Sequence, residues 1–344
     1  MQNWNSRLLL LRGQVLSNDL SPKACKRSLE IQGEMKTEFE LIELLKKKIP
    51  RRLQGPAGIG DDAAVMPPLG GRQWLFTTDV LVEGVDFIRS KIAPEMAGRK
   101  AVAANLSDIA AMGGEPFAFV AAIGIPKGMS EAWIERFYSG MVKMAARHKT
   151  LFAGGDTSRA KEFFVSVAMT GISHAAPVSR SGARAGDFIG VTGDLGGSIL
   201  KHHYFFKPRI REGRFLSEKI RVTAMIDISD GLLQDLGHIL KASGTGAELA
   251  LDRIPVSQDA KRLAGHHPAK ALRHALTDGE DFELLFTAPS SAKRKLELAW
   301  PKKFPGVKLS WIGRITAQKQ KIGWMKDGKK IPGPVFKKAG FSHF

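Results

Sequence analysis

The chain has 344 residues, of which 43% are hydrophobic and 25% charged, and this is enough for one large domain or two ordinary ones. The composition excludes a disordered, collagen-like or coiled-coil protein. The single cysteine, Cys25, excludes an internal disulfide and a cysteine-based zinc site. No apolar run approaches the roughly 20 residues of a membrane helix, and no secretory cleavage site follows the short run 8–11, so we expect a soluble, cytoplasmic protein.

The formal net charge of +18 is distributed unevenly along the chain. Residues 1–52 carry +5 and residues 289–344 carry +12, whereas residues 53–288 are nearly neutral at +1. The two ends therefore favour anionic partners, and the acids of the middle segment need a separate explanation.

The first clear element begins after Met35, where Thr37 is a suitable N-cap and apolar residues recur at helical spacing. We expect the compact protein to begin there and residues 1–34 to be a disordered leader. In the rest of the first half, β-branched and aromatic content predicts strands at 72–80, 117–125 and 163–172, and apolar periodicity predicts helices at 94–112 and 131–148.

Residues 175–187 are rich in Pro, Gly, Ser and Arg, which is typical of a connection between two halves. The second half alternates again, with strands predicted at 187–192, 222–228, 247–251, 281–287 and 307–315 and helices around 194–203, 231–243, 257–264 and 290–300. This alternation predicts a two-domain chain of the α+β or α/β class, with an N-terminal domain at 35–176 and a C-terminal α/β domain at 177–344.

Many acids of the middle segment end apolar strands or lie in glycine-rich turns instead of on helix faces. Six segments share this property: 58–62, 77–79, 105–108, 154–157, 227–231 and 278–281. Each acid alone is equally well explained as a cap or turn residue, but six together indicate a shared partner. Mg²⁺ accepts oxygen ligands and bridges carboxylates to phosphates, and glycine turns expose backbone N–H groups to anions. The pattern therefore predicts a metal–nucleotide phosphate site.

The segment 226–239 is the most informative of these. A strand ends there in two acids, Asp227 and Asp230, and Ser229 or Asp230 can cap the helix that follows, whose positive end then faces the same ligands. Asp235 lies inside that helix, where it is equally well an ordinary solvent-facing acid, and we leave it out of the predicted site.

Other motifs fail on their context. The glycines of 58–63 resemble a dinucleotide fingerprint, but two aspartates occupy the turn and Pro67-Pro68 follow, so no helix begins there. The sequence has no phosphate-binding P-loop, protein-kinase motif or serine nucleophile elbow. The pairs His202-His203 and His266-His267 point apart as sequence neighbours, and we expect them to be solvated.

Seven motifs in this order resemble the thiamine-monophosphate kinases, a family within the superfamily of ATP-using aminoimidazole-ribonucleotide synthetases. The motifs lie at 58–64, 77–85, 104–114, 154–159, 226–236, 279–284 and 340–344, and the resemblance spans about residues 36–344.

The resemblance implies transfer of the γ-phosphoryl group of ATP to thiamine monophosphate, giving thiamine diphosphate, without a protein nucleophile and with several Mg²⁺ ions. It implies an N-terminal domain whose homodimer forms a β-barrel, and a C-terminal α/β domain that closes the cleft. The implied Mg²⁺ ligands are Asp62, Thr77, Thr78, Asp79, Asp108, Asp156, Asp227 and Asp230. The implied ATP contacts are Gly155, Asp156, Arg180 and Ser229, and the implied contacts to the thiamine phosphate are Asp86, Glu280 and Phe341.

Three features depart from the family pattern. Asp86 stands where the family has a histidine, so a donor to phosphate is lost and the partner of this carboxylate becomes the thiamine cation or a metal. Asp278 adds an acid beside Glu280, and the segment after Gly193 is short. The first two departures lie at or beside the implied contacts to the thiamine phosphate, and none of the three replaces an implied metal ligand or ATP contact.

Two alternatives remain. One is another ATP-dependent synthetase of the superfamily; the reactive cysteine of selenophosphate synthetase and the C-terminal cysteine of the hydrogenase-maturation relative are both missing, whereas a purine-pathway synthetase is harder to exclude. The other is a nucleic-acid-binding protein that uses the lysines at 293–295, 302–303 and 329–330. Such runs are usually solvated faces, so we do not expect specific nucleic-acid binding.

Overall fold

The computed structural model describes residues 38–333, which form two β-sheets with helices packed on them. The prediction of a two-domain α+β chain is confirmed, since residues 174–187 connect the last strand of the first sheet to the first strand of the second. The predicted leader 1–34 and the terminal motif 340–344 lie outside the described residues. Within residues 38–333, no helix has the length and apolar character needed to cross a membrane.

The N-terminal half contains a five-stranded sheet and three helices. Its strands are β1 (Ala64–Val65), β2 (Gln73–Val82), β3 (Glu115–Ile125), β4 (Leu151–Arg159) and β5 (Phe164–Ser173), and its helices are α1 (Glu38–Lys48), α2 (Pro94–Ala111) and α3 (Glu131–Arg147). The strand order is β1-β2-β5-β3-β4, antiparallel except for the parallel pair β3–β4. The edge strand β4 replaces the glycine-rich turn predicted at 154–157, because pairing with β3 overrides the turn preference of Gly154-Gly155.

Helix α2 is buried on nearly every side and joins the two halves. It packs on β2, β5 and α3 of its own half and also on the second half. The helices cross closely because both carry glycine at the contact: a Cβ at Gly98 would lie 1.9 Å from the carbonyl oxygen of Phe137, and one at Gly140 would lie 2.0 Å from that of Glu95. The small residues of α2 thus allow the close packing that fixes its C-terminal end between the two sheets.

The C-terminal half contains a seven-stranded sheet of order β12-β11-β8-β10-β6-β9-β7. Its strands are β6 (Phe188–Thr192), β7 (Ala224–Asp227), β8 (Gly246–Ala250), β9 (Leu284–Ala288), β10 (Leu309–Thr316), β11 (Ile322–Lys326) and β12 (Lys329–Ile331). Its helices are the single turn α4 (His202–Phe205), α5 (Ile210–Phe215), which continues as a π-helical turn (Leu216–Ile220), α6 (Leu232–Ser243), α7 (Gln258–Leu263), α8 (Pro268–Thr277) and α9 (Ser290–Lys303).

The helix predicted around 194–203 is wrong. Gly196, Gly197 and Lys201 have φ values of 84°, 78° and 99°, which are left-handed and break a helix. A short 3₁₀ turn and the single turn α4 occupy this stretch. The sequence patterns also missed α5, α8, β11 and β12.

Candidate active site

Four of the predicted metal ligands form one cluster between the two sheets, called the acid cluster here: Asp62, Asp79, Asp108 and Asp227. Oxygen atoms of Asp62, Asp108 and Asp227 all lie within 4.8 Å of one another. Asp79 lies beside these three acids, since its charge adds to burial in raising the pKa of Asp108. The four acids come from the loop before β1, from β2, from the C-terminal turn of α2 and from the end of β7, so both halves of the chain build the cluster.

Alternation along β2 decides which of its polar residues reach the cluster. Thr77 is buried and donates its hydroxyl to Asp108 and to the backbone carbonyl of Asp62. Thr78 is exposed, and its hydroxyl lies 3.5 Å from that of Ser166 on the outer face of the sheet. Neighbouring residues of a strand point to opposite faces, so the side chains of Thr77 and Thr78 cannot both face the acid cluster.

The carboxyl groups of the acid cluster resist ionisation because they are withdrawn from water and lie beside one another. Burial, followed by the charges of neighbouring aspartates, raises the pKa of Asp227 to about 8. Burial also raises the pKa of Asp79 to about 6 and that of Asp108 well above its usual range. Such a group of like charges requires cations if it is to be fully ionised at neutral pH.

Arg180 supplies one positive charge to this group. Its Nη2 lies 2.6 Å from Asp62 Oδ1, and its backbone N–H donates to Asp61 Oδ1 at 2.8 Å. Burial opposes the charge on the guanidinium, but the Asp62 carboxylate outweighs burial and raises the pKa of Arg180. Arg180 therefore stays charged and is held at the cluster.

The residues of the acid cluster fit Mg²⁺. The donors are oxygen atoms, as this hard cation requires. Asp62 Oδ2 and Asp79 Oδ2 are buried and have no hydrogen-bond partner within the described part of the chain. A buried carboxylate oxygen without a partner is costly, and a bound cation removes that cost.

A second acidic group lies at the start of α6, where ligand atoms of Asp230, Asp235 and His238 are within 4.8 Å of one another. The interpretation of Asp235 as a solvent-facing acid is wrong: it is 1% exposed and accepts hydrogen bonds from the backbone N–H groups of Asp230 and Gly231. Its face of α6 packs inward, so the carboxylate closes the turn that carries Asp230.

Asp86 and Glu280, which the sequence predicts to contact the phosphate acceptor, line one cavity of about 510 Å³ between the two halves. This cavity is called the acceptor cavity here. Its other lining residues are largely apolar, including Val85, Phe87 and Ile88, with Lys91, Lys201 and His203 adding polar groups. Ser229 connects this cavity to the acid cluster, because its carbonyl oxygen accepts the backbone N–H of Glu280 at 2.7 Å while Asp227 lies two residues earlier.

The two extra acids of this chain are both engaged. Asp86 Oδ2 accepts the backbone N–H of Val82 at 2.7 Å, so the carboxylate that replaces the family histidine closes the turn after β2. Asp278 Oδ2 accepts the backbone N–H of Gly197 at 2.9 Å and contacts His274 at 3.0 Å, and Asp278 does not line the cavity of Glu280.

Asp156 and Gly155 lie on β4, three strands from β2. The register aligns Asp156 with Ala122 and places its exposed side chain on the outer face of the sheet, where its carboxylate accepts the backbone N–H of Thr157 at 2.8 Å. A Cβ at Gly155 would lie 1.9 Å from the carbonyl oxygen of Ala121, so the β3–β4 pairing requires glycine there. One chain thus leaves Asp156 apart from the acid cluster, and Phe341 lies outside the described residues.

The sequence patterns did not predict two candidate functional residues, Lys100 and His203. Lys100 was hidden in a helix pattern, and His203 was expected to be solvated but is buried, with its neighbour His202 half-buried and 3.1 Å from the carbonyl oxygen of Asp281. The pair His266-His267 is exposed, as predicted. An ionisable residue on the otherwise apolar face of α2 was the available signal for Lys100.

Comparisons with known proteins agree with this arrangement. Residues 60–173 match the family described as AIR synthase related protein, N-terminal domain, and residues 181–326 match the corresponding C-terminal domain. The thiamine-monophosphate kinase of Buchnera aphidicola from Acyrthosiphon pisum is 37% identical over 331 residues, which cover 90% of this chain and 99% of that protein. The Escherichia coli K12 enzyme is 34% identical over 89% of this chain and 98% of its own.

A solved structure described as "AaThiL complexed with AMPPCP and TMP" superimposes with a TM-score of 0.77 at 30% identity and covers 92% of this chain and 100% of that chain. A structure of the Stenotrophomonas maltophilia K279a thiamine-monophosphate kinase gives a TM-score of 0.66 at 32% identity, with 86% and 98% covered. With full-length relatives above 30% identity and both domains matched, the chain belongs to the thiamine-monophosphate kinase family.

Proposed function

We propose that this chain transfers the γ-phosphoryl group of ATP to the phosphate of thiamine monophosphate, giving thiamine diphosphate and ADP. The observation that carries the proposal is the acid cluster, built by both halves of the chain and connected through Ser229 to the acceptor cavity of Glu280. A reaction between two anionic phosphates needs cations to neutralise their charge and a site that positions the acceptor. The acid cluster is suited to the first task and the acceptor cavity to the second.

The acid cluster is the proposed Mg²⁺ site, with Asp62, Asp79, Asp108 and Asp227 as carboxylate ligands. Asp230, which belongs to the second acidic group before α6, is proposed as a further Mg²⁺ ligand. Bound Mg²⁺ would supply neutralisation of the phosphate charges and polarisation of the transferred group. The unpartnered oxygens of Asp62 and Asp79 support this assignment. Thr77 holds Asp108 by its hydroxyl and so orients one of the ligands.

Arg180 and the backbone around Ser229 and Gly155 are the proposed ATP contacts. Arg180 remains charged at the edge of the acid cluster, where its planar guanidinium suits a phosphate as well as it suits Asp62. The acceptor cavity holds the thiamine group, with Asp86 and Glu280 on its walls. The walls are largely apolar, so closure of this cavity around the acceptor would exclude water and favour transfer to phosphate over hydrolysis.

The active unit is proposed to be a homodimer. The outer face of the five-stranded sheet is apolar and exposed in one chain, with Phe76, Val80 and Val120 between 42% and 51% exposed. Such a face is buried when two sheets pack together, as in a barrel. Thr78 and Asp156 lie on this same face, so dimerisation would also bring these two predicted Mg²⁺ ligands into a buried site.

The direct test is an assay of the purified protein with ATP, Mg²⁺ and thiamine monophosphate at neutral pH, with the product identified by mass spectrometry. We expect stoichiometric thiamine diphosphate and ADP, and no product in the presence of EDTA. Aminoimidazole-ribonucleotide precursors and selenide serve as competing acceptors from the same superfamily. Product from one of these and none from thiamine monophosphate would overturn the proposal.

A further inference from the structure

A lysine is fully buried beside the acceptor cavity. Lys100 lies on α2, is 1% exposed, and ranks among the largest fully buried side chains of the described residues. A buried ammonium group must be paired and hydrogen-bonded, since its desolvation is otherwise unfavourable. The partners of Lys100 therefore indicate why the fold retains it.

Those partners come from both halves of the chain. Lys100 Nζ donates to the carbonyl oxygen of Asp86 at 2.9 Å and forms an ion pair with Glu280 Oε1. It also lies 5.6 Å from the centre of the Tyr204 ring, within range of a cation–π contact. One ammonium group thus joins the turn after β2 to the loop that carries Glu280, and both of these segments are walls of the cavity.

The other oxygen of Glu280 is held from the C-terminal half. His203 Nδ1 lies 3.1 Å from Glu280 Oε2, and the His203 side chain is itself buried, with 4% of the residue exposed. The backbone of Glu280 is left-handed, with φ at 63°, which is uncommon for a residue with a side chain. The carboxylate is therefore held at both oxygens, and the backbone that carries it adopts an energetically unfavourable conformation.

We propose that Lys100 and His203 are positioning residues of the acceptor pocket, which hold both oxygens of Glu280 in one orientation and thereby set the affinity for thiamine monophosphate. This inference rests on the proposed function. His203 lies in the short segment after Gly193, where this chain departs from the family pattern. Neither residue belongs to the acid cluster, so binding of ATP should be independent of both.

The experiment measures kcat and KM for each substrate in the full-length protein and in the variants Lys100→Met and His203→Phe. We expect KM for thiamine monophosphate to rise about tenfold or more, with KM for ATP changing less than about threefold, since only acceptor binding loses its orientation. His203→Asn, whose amide nitrogen replaces Nδ1 as a donor, should recover most of the affinity. The exposed residues Lys143 and His267 provide matched controls, Lys143→Met and His267→Phe, which should behave as wild type.

A Glu280→Gln background tests whether the two residues act through Glu280. There, His203→Phe should have little further effect, because residues that act through one group give non-additive changes. Equal rises in KM for both substrates, a loss confined to kcat, or fully additive changes would each overturn the inference. If Lys100→Met fails to fold, as judged by circular dichroism, the His203 series decides alone. An inactive wild-type protein would instead refute the proposed function itself.

Discussion

Acidic side chains lie between the two sheets in two places, and their negative charges are compensated in opposite ways. In the acid cluster, Asp62, Asp79, Asp108 and Asp227 crowd together with Arg180 as their ion-pair partner among the described residues. At the acceptor cavity, the single carboxylate of Glu280 is held by Lys100 and His203. Burial opposes ionisation at both places, yet the pKa of Asp227 is raised to about 8, whereas His203 and Lys100 lower the pKa of Glu280.

The acid cluster therefore lacks positive charge, whereas the carboxylate of Glu280 is already paired with positive groups of the protein. The acid cluster has more negative groups than Arg180 can balance, which supports the proposal that it binds cations from solution. The Glu280 site contains its own positive partner, so it is built to keep one carboxylate in place. The contrast predicts that metal and acceptor binding can be perturbed separately.

The largest effect should follow the loss of one ligand from the acid cluster. Asp79→Asn removes a negative charge and keeps the shape of the side chain, so we expect kcat to fall about 1,000-fold, about 4 kcal/mol of transition-state stabilisation. The free energy of unfolding should not fall, because one repulsive carboxylate is gone. Steady-state kinetics and urea unfolding measure the two quantities. The exposed Asp252→Asn is the control, and full activity of Asp79→Asn would remove Asp79 from the site.

Much of the acid cluster could be predicted from the sequence because the cause is local. An aspartate inside an apolar strand, as at Asp79, or at the end of one, as at Asp227, is unusual whatever surrounds it. The contacts of Lys100 and His203 with Glu280 could not be predicted in this way. Lys100 and His203 lie 103 residues apart in a helix pattern and in a segment broken by Gly197 and Lys201, and only tertiary packing brings them together.

The outcome for the fold follows the same division. Long periodic elements such as α2 were predicted nearly to the residue, since their pattern reflects their own burial. The glycines of the edge strand β4 predict a turn, whereas the strand itself depends on pairing with β3. Asp235 was misjudged because a helix interior position does not reveal which face of α6 is covered.

A smaller effect is expected from pH on the metal-free protein. The unfolded chain has ordinary aspartates with pKa near 3.8, whereas the folded-state pKa is about 6 for Asp79 and about 8 for Asp227. The folded state thus retains protons that the unfolded chain has lost, so these groups reduce the free energy of unfolding as pH rises from about 4 to about 8. Cation binding to the ionised carboxylates reverses that loss.

Thermal unfolding with EDTA or with saturating Mg²⁺ measures this effect. We expect Mg²⁺ to raise Tm by about 4 °C at pH 8.5 and by clearly less at pH 5.5, where protons compete for the carboxylates. In Asp227→Asn the difference between the two pH values should shrink. A stabilisation by Mg²⁺ that is the same at both pH values would place the cation elsewhere.

The smallest expected effect, that of Glu280→Gln on stabilisation by Mg²⁺, distinguishes most directly between one metal site and two separate acidic regions. Glu280 is already paired with Lys100 and His203, so it should contribute nothing to the binding of metal. We therefore expect Glu280→Gln to keep the Mg²⁺-induced rise in Tm at pH 8.5 within about 1 °C of the wild-type value, while its own Tm in EDTA falls because Lys100 is left without an anionic partner. The same unfolding scans measure both quantities. If Mg²⁺ no longer raises the Tm of Glu280→Gln, Glu280 and the acid cluster belong to one metal site, because a carboxylate that does not coordinate the cation should not abolish its stabilising effect.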